Sequence, residues 1–170
     1  MKEIEVKILD IDVDAVRTKL LQLGAKKKFE GVVHALAFDF PDQRLKKEGS
    51  FLRIRKMGEK TELCFKGKKD DSPFKRREET EVTTNNFETT IEIMKHLGLQ
   101  ITHEGKKNRE SYTNGKVNFE IDNDERIPHF LEIEAPTEEL VEEYVKKLGY
   151  SMNQTNNWSY LDVEKHYKVK

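Results

Sequence analysis

Charged and aliphatic residues alternate again and again along this chain, and the charges are of both signs. Glu3, Glu5 and Lys7 alternate with Ile4 and Val6. Arg53 and Arg55 alternate with Leu52 and Ile54, and Cys64 and Lys66 with Leu63 and Phe65. Arg77, Glu79 and Glu81 interleave with Glu78, Thr80 and Val82. Glu120 and Asp122 flank Ile121, Glu132 and Glu134 flank Ile133, and Lys107 and Arg109 precede Tyr112. A strand sends successive side chains to opposite faces. Each segment therefore predicts a strand with one charged face and one aliphatic face. For a single strand, a solvated charged face is the simplest reading. For the whole set that reading weakens, because an open sheet leaves unpaired edges that closure into a barrel removes. The aliphatic faces then seat amphipathic helices, and the charged faces line the interior.

Helical periodicity supplies those helices. Val13, Val16, Leu20, Leu21 and Leu23 follow Asp12 as N-cap and stop at Gly24. Residues 86–97 end at Gly98, and 138–148, capped by Thr137, end at Gly149. A further C-terminal helix is expected near Trp158 to His166. Strands are expected over 1–7, 26–40, 50–56, 61–67, 75–83, 101–112, 116–122 and 129–134, with hairpin turns at Gly58 and Asn114-Gly115. Hairpin links make the sheet largely antiparallel. The fold class is α+β: a closed eight-stranded antiparallel β-barrel with helices packed outside. It forms a single domain over 1–170, with a C-terminal helical segment from about 155. Trp158 and Tyr160 are expected to anchor that segment, which could also cover one mouth of the barrel.

Composition narrows the function. Lys plus Arg is 31 and Asp plus Glu is 32, a net charge of -1, which argues against a general nucleic-acid coat. No apolar run approaches the ~20 residues of a membrane span, and the N-terminus lacks an apolar leader region. One cysteine, Cys64, fits a reducing cytoplasm. The five histidines show no zinc spacing. An interior lined by both carboxylates and cationic groups is costly unless a ligand occupies it. A polyanion with hard divalent cations satisfies both signs: carboxylates take Mg²⁺ or Mn²⁺, and Arg and Lys take phosphate oxygens.

E-I-E-V-K at Glu3 to Lys7 resembles the ExExK signature of the CYTH superfamily, the triphosphate tunnel metalloenzymes. Further segments resemble the family in order: F-D-x-P-D at Phe38, L-R-I-R at Leu52, F-K-G at Phe65, R-E-E-x-E at Arg77, K-x-R-x-x-Y at Lys107, Asp122, and L-E-I-E at Leu131. The run looks most like the compact CyaB-type subgroup. The resemblance implies a tunnel in which Glu3, Glu5, Glu132 and Glu134 hold catalytic metal, with Asp122 nearby. Glu79 and Glu81 would serve a second cation or orient water. Lys7, Arg53, Arg55, Lys66, Arg77, Lys107 and Arg109 would grip the triphosphate. Ala37 and Pro128-His129 depart from the family pattern, at places that bear on what lies beyond the triphosphate. Cys64 reads as a small wall residue rather than a nucleophile.

The expected ligand is a triphosphate-bearing small molecule. Hydrolysis is the first reading because it asks less of the site. Class IV adenylyl cyclisation of ATP and a non-catalytic polyphosphate-binding module are the alternatives. Aliphatic outer surface beyond what three short helices cover fits a homodimer.

Overall fold

The computed structural model describes residues 2–68 and 74–169, without the side chains of Lys2, Glu3, Lys75, Arg76 and Arg77. The elements in chain order are β1 (Lys2–Ile8), α1 (Val13–Gln22), β2 (Lys26–Asp39), α2 (Arg44–Lys47), β3 (Phe51–Met57), β4 (Lys60–Lys66) and β5 (Lys75–Thr84). Next come α3 (Phe87–His96), β6 (Gln100–Thr113), β7 (Asn118–Asp124), β8 (Ile127–Ala135), α4 (Glu138–Lys147), β9 (Thr155–Asn156) and α5 (Tyr160–His166).

The helices start where their caps direct. Asp12 accepts the Ala15 amide at 3.0 Å and Thr137 accepts that of Leu140 at 3.3 Å, each filling a donor the first turn leaves open. Gly24 and Gly98 follow α1 and α3 at φ 74° and 85°, left-handed values that a side chain rarely adopts. Three elements were not foreseen: α2, a 3₁₀ turn at Met152–Gln154, and β9. The four-residue α2 is held from the end of β2, where Asp39 accepts the amides of Phe40, Leu45 and Lys46 at 2.7, 3.1 and 2.9 Å. The two-residue β9 is too short to show alternation.

The sheet runs β5-β4-β3-β2-β6-β7-β8-β1-β9, with a further pairing of β5 and β1. The pairings whose register is described are antiparallel. The eight-stranded closed barrel expected from the alternation is corrected. The sheet has nine strands, and its order ends on β5 and β9. Met57 pairs with Lys60 around Gly58, a two-residue hairpin turn as expected. Asn114-Gly115 opens a wider turn, since Thr113 pairs with Asn118 and Asn114 Oδ1 accepts the amides of Lys116 and Val117.

The chain divides into two compact units, residues 1–2, 31–70 and 77–107 in one and 3–30, 71–76 and 108–170 in the other. In the first, α3 sets Phe87 and Met94 on Leu36, Phe38 and Ile54. In the second, Val16 and Leu20 of α1 and Val141 and Val145 of α4 cover Ile4, Val6, Ile8, Phe119, Ile121, Leu131 and Ile133. The aliphatic parity of β1, β7 and β8 is thus the seat of two helices. A smaller cluster joins Val163 of α5 to Ile127 and Phe130, and Tyr160 donates to Asp124 at 2.6 Å. Tyr160 therefore anchors the C-terminal segment within its unit.

Glu110 ties α1 and β2 to β6. It is ion-paired with Arg17, lies 2.9 Å from Lys27 Nζ, and accepts from Tyr112 Oη at 2.7 Å. The Arg17 hydrogen bond first, and then Lys27 and Tyr112, outweigh burial and hold its carboxyl down at about 2. A carboxyl lowered on folding stabilises the protein above its unfolded pKa, and that stability is lost as pH falls through the folded value. Acid titration of the wild type should therefore show a loss of stability from about pH 4.5 towards 2. Glu110→Gln should flatten that window and cost about 1–3 kcal/mol at neutral pH, read by denaturant unfolding across pH.

Candidate functional site

The second unit gathers acids and bases from four strands onto one face. Directly opposed residues in an antiparallel pair share a face. Glu5 opposes Glu134, Lys7 opposes Glu132, Glu132 opposes Glu120, and Glu120 opposes Ser111. That face is not solvated: Glu5, Lys7 and Asp122 keep 6%, 2% and 0% of their exposure. Ile4, Val6 and Ile8 on the other face of β1 are buried as well. Both faces of this strand are therefore covered.

Lys7 Nζ lies 2.7 Å from Glu5 Oε1 and 2.6 Å from Glu132 Oε2. Burial works to lower its pKa, and the charges of Glu132 and Glu5 outweigh that, so Lys7 is held above its ordinary value. Arg109 grips Asp122 with two parallel bonds, Nε to Oδ1 and Nη2 to Oδ2, both 2.7 Å. Against strong desolvation, Asp122 first and then Glu120 raise Arg109 well above its usual range. Burial pushes the Glu120 carboxyl up, although Arg109 and a hydrogen bond from Ser111 oppose the rise.

Glu5, Glu132 and Glu134 bring one carboxylate oxygen each to within 4.8 Å of one another. Three hard oxygen donors with no sulfur among them fit a cation such as Mg²⁺ or Mn²⁺. Glu3, the fourth expected metal ligand, has its side chain outside the described residues, as does Arg77.

The first unit carries a second group on β3, β4 and β5. Glu62, 1% exposed, opposes Arg55 and lies 2.6 Å from its Nε, 3.5 Å from Arg53 Nη2 and 3.3 Å from Lys60 Nζ. Burial raises its pKa, and Arg55 followed by Arg53 and Lys60 more than offsets this, leaving it lowered. Buried Lys66 is ion-paired with Glu79, and Cys64 Sγ donates to Glu79 Oε2 at 3.7 Å. Cys64, Glu79 and Glu81 place their donor atoms within 4.8 Å of one another. Desolvation pushes the Cys64 thiol up, which disfavours the thiolate a nucleophile needs. Glu81 is exposed and is also raised, by desolvation first and the nearby charge of Glu62 second. Lys107 is half-buried on β6.

Of the expected residues, Glu5, Lys7, Arg109, Asp122, Glu132 and Glu134 come together in one unit. Arg53, Arg55, Lys66, Glu79 and Glu81 do so in the other. Glu62 was missed, although its parity with Cys64 and Lys66 was there to read. Ser111 was missed because only the register shows that it faces Glu120. Among the described residues, no helix is long and apolar enough to cross a membrane.

Comparison with known proteins identifies the family and the fold. The CYTH domain model matches residues 1–160. A protein of Methanocaldococcus jannaschii named "Putative adenylate cyclase" is 30% identical over 175 residues, covering 96% of this chain and 98% of that protein. The structure of the PH1012 protein of Pyrococcus horikoshii superposes with a TM-score of 0.79 at 25% identity, over 95% of this chain and 98% of that one. A Hippeastrum protein, described as a "Putative adenylyl cyclase" with a dominant triphosphatase activity, shares the fold with a TM-score of 0.70 at 18% identity. That likeness covers 99% of this chain and 97% of the other. With the family model spanning nearly its whole length, the chain belongs to the CYTH domain family.

Proposed function

We propose that this chain is a divalent-metal-dependent enzyme acting on a triphosphate substrate, and that its reaction is hydrolysis. One observation carries the reading: Glu5, Glu132 and Glu134 converge on one buried face beside the fixed cations Lys7 and Arg109. Binding a polyanion alone would favour bases without such an acid set. Glu5, Glu132 and Glu134, joined by Glu3 on the family resemblance, would hold Mg²⁺ or Mn²⁺. That ion supplies polarisation of a phosphoryl oxygen and neutralisation of developing charge.

The chain's own residues supply the rest. Lys7 and Arg109 present N–H donors to phosphate oxygens, and Asp122 fixes the plane of the Arg109 guanidinium. Donors held in place before the reaction need no reorganisation when charge develops. Arg53, Arg55, Lys66, Arg77 and Lys107 are carried as further phosphate ligands, and Glu79 and Glu81 as groups that orient water, by the family resemblance. No nucleophilic side chain takes part; water attacks the terminal phosphorus.

Class IV adenylyl cyclisation is the second reading, favoured by the name of the relative at 30% identity. There the ribose 3′-hydroxyl attacks the α-phosphorus of ATP and pyrophosphate leaves. Incubation with Mg²⁺ or Mn²⁺ and either ATP or tripolyphosphate, followed by chromatography, separates the readings. Orthophosphate is the expected product. Cyclic AMP with pyrophosphate would replace hydrolysis by cyclisation, and tight binding without turnover would leave a polyphosphate-binding module.

A further inference from the structure

Glu62 is a buried acid to which the reaction above assigns no part. On the sheet, Arg55 of β3 stands directly opposite it, and Arg53 stands one diagonal step away, opposite Cys64. Opposed residues share a face, and diagonal neighbours stay within reach of long side chains. Glu62 Oε1 meets both: it lies 2.6 Å from Arg55 Nε and 3.5 Å from Arg53 Nη2. Lys60 Nζ donates to Oε2 at 3.3 Å. One carboxylate therefore serves three cations of the first unit.

The carboxylate is deeper than the guanidiniums it holds. The side chains of Arg53 and Arg55 keep 20% and 21% of their exposure, against 1% for Glu62. Arg55 meets Glu62 through Nε, at the inner end of its guanidinium. Its terminal Nη1 and Nη2 pair with no carboxylate among the described residues. Those two nitrogens form a fork that can take two oxygens of one phosphate. An arginine carries much rotamer freedom, and an anchor present before the ligand arrives removes that cost from binding.

We infer that Glu62 is a positioning residue, which fixes the Arg55 guanidinium so that its open fork is presented to a phosphate group of the substrate. This rests on the triphosphate reading above, in which Arg55 is a phosphate ligand. Glu62 itself does not touch the substrate; its own charge repels phosphate. Charge and position then act on binding in opposite directions. Loss of the Glu62 charge alone leaves the cations more positive and strengthens their attraction for a polyanion. Loss of the anchor lets the guanidinium turn away and weakens it. The sign of the change therefore separates the two.

The test titrates tripolyphosphate, with Mg²⁺, against the wild type, Glu62→Gln, Glu62→Asp, Arg55→Gln and the double variant Glu62→Gln, Arg55→Gln. The readout is KM where turnover occurs and Kd where it does not. Glu62→Gln should raise it about tenfold, the effect of one charge-assisted hydrogen bond to the ligand lost. Glu62→Asp, which keeps the charge on a shorter arm, should recover part of the loss. The double variant should stay within about twofold of Arg55→Gln, because Glu62 acts through Arg55. A merely structural residue lowers the Tm and the active fraction but leaves KM and Kd unchanged. That result overturns the inference, as do tighter binding by Glu62→Gln, an additive loss in the double variant, or no effect of Arg55→Gln. Should Glu62→Gln not fold, Glu62→Asp carries the same comparison, and unchanged KM and Kd there overturn the inference. A wild type that binds tripolyphosphate without hydrolysing it sinks the hydrolysis reading and leaves Kd to decide this one. A wild type that binds none overturns both.

Discussion

Glu5→Gln should lose metal-dependent turnover by about 10²–10³-fold, because several kcal/mol of transition-state charge stabilisation go with the metal. The substitution keeps size and hydrogen bonding but removes one of the three converging carboxylate charges. It should leave the fold in place. Lys7 retains Glu132 at 2.6 Å, so its buried ammonium is not stranded. Glu142→Gln, on the surface of α4, is the control and should behave as wild type. The readout is the rate at increasing Mg²⁺ or Mn²⁺. Glu5→Gln should need much more metal or fail to respond at all. Full metal-dependent activity in this variant would sink the metal assignment.

Asp122→Ala should be among the most destabilising single changes in the second unit. Asp122 is 0% exposed and holds both prongs of Arg109, itself 6% exposed. Removing one partner of a buried pair leaves an uncompensated charge, at a cost of about 3–5 kcal/mol. For a chain of 170 residues that corresponds to a fall in Tm of about 6–20 °C. Glu120, 3.5 Å from Arg109, takes up part of the charge and favours the lower end. The double variant Arg109→Met, Asp122→Leu should recover much of the stability, since replacing a whole buried pair by apolar groups is often neutral. Thermal unfolding that shows less than about 1 kcal/mol for Asp122→Ala, the range of an exposed pair, would mean that the pair is not shielded as its burial indicates. Activity should fall in both variants, because each loses the positioned guanidinium.

What the sequence could show follows from the reach of each signal. Period-two alternation marks which residues of a strand share a face, so Glu5 with Lys7 and Glu132 with Glu134 were legible before any coordinates. Caps and Leu-Gly stops marked α1, α3 and α4 to within a residue or two. Register is a different matter. That Lys7 meets Glu132 and that Glu132 meets Glu120 depends on how strands align, which no single strand encodes. Asp39 folding α2 against the end of β2 and Asn156 reaching Lys7 through β9 are likewise matters of tertiary placement, in elements too short to carry periodicity. The strand count failed for the same reason. Glu62 was an oversight of parity: it lies two residues before Cys64 and is as buried as any charge on β4.

The most direct measurement is consumption of ATP and tripolyphosphate by the wild-type protein with Mg²⁺ or Mn²⁺, then with excess chelator, then with metal restored. The account predicts turnover of at least one triphosphate that stops on chelation and returns with the ion. Turnover unaffected by chelation, or none with either substrate and either metal, would contradict it.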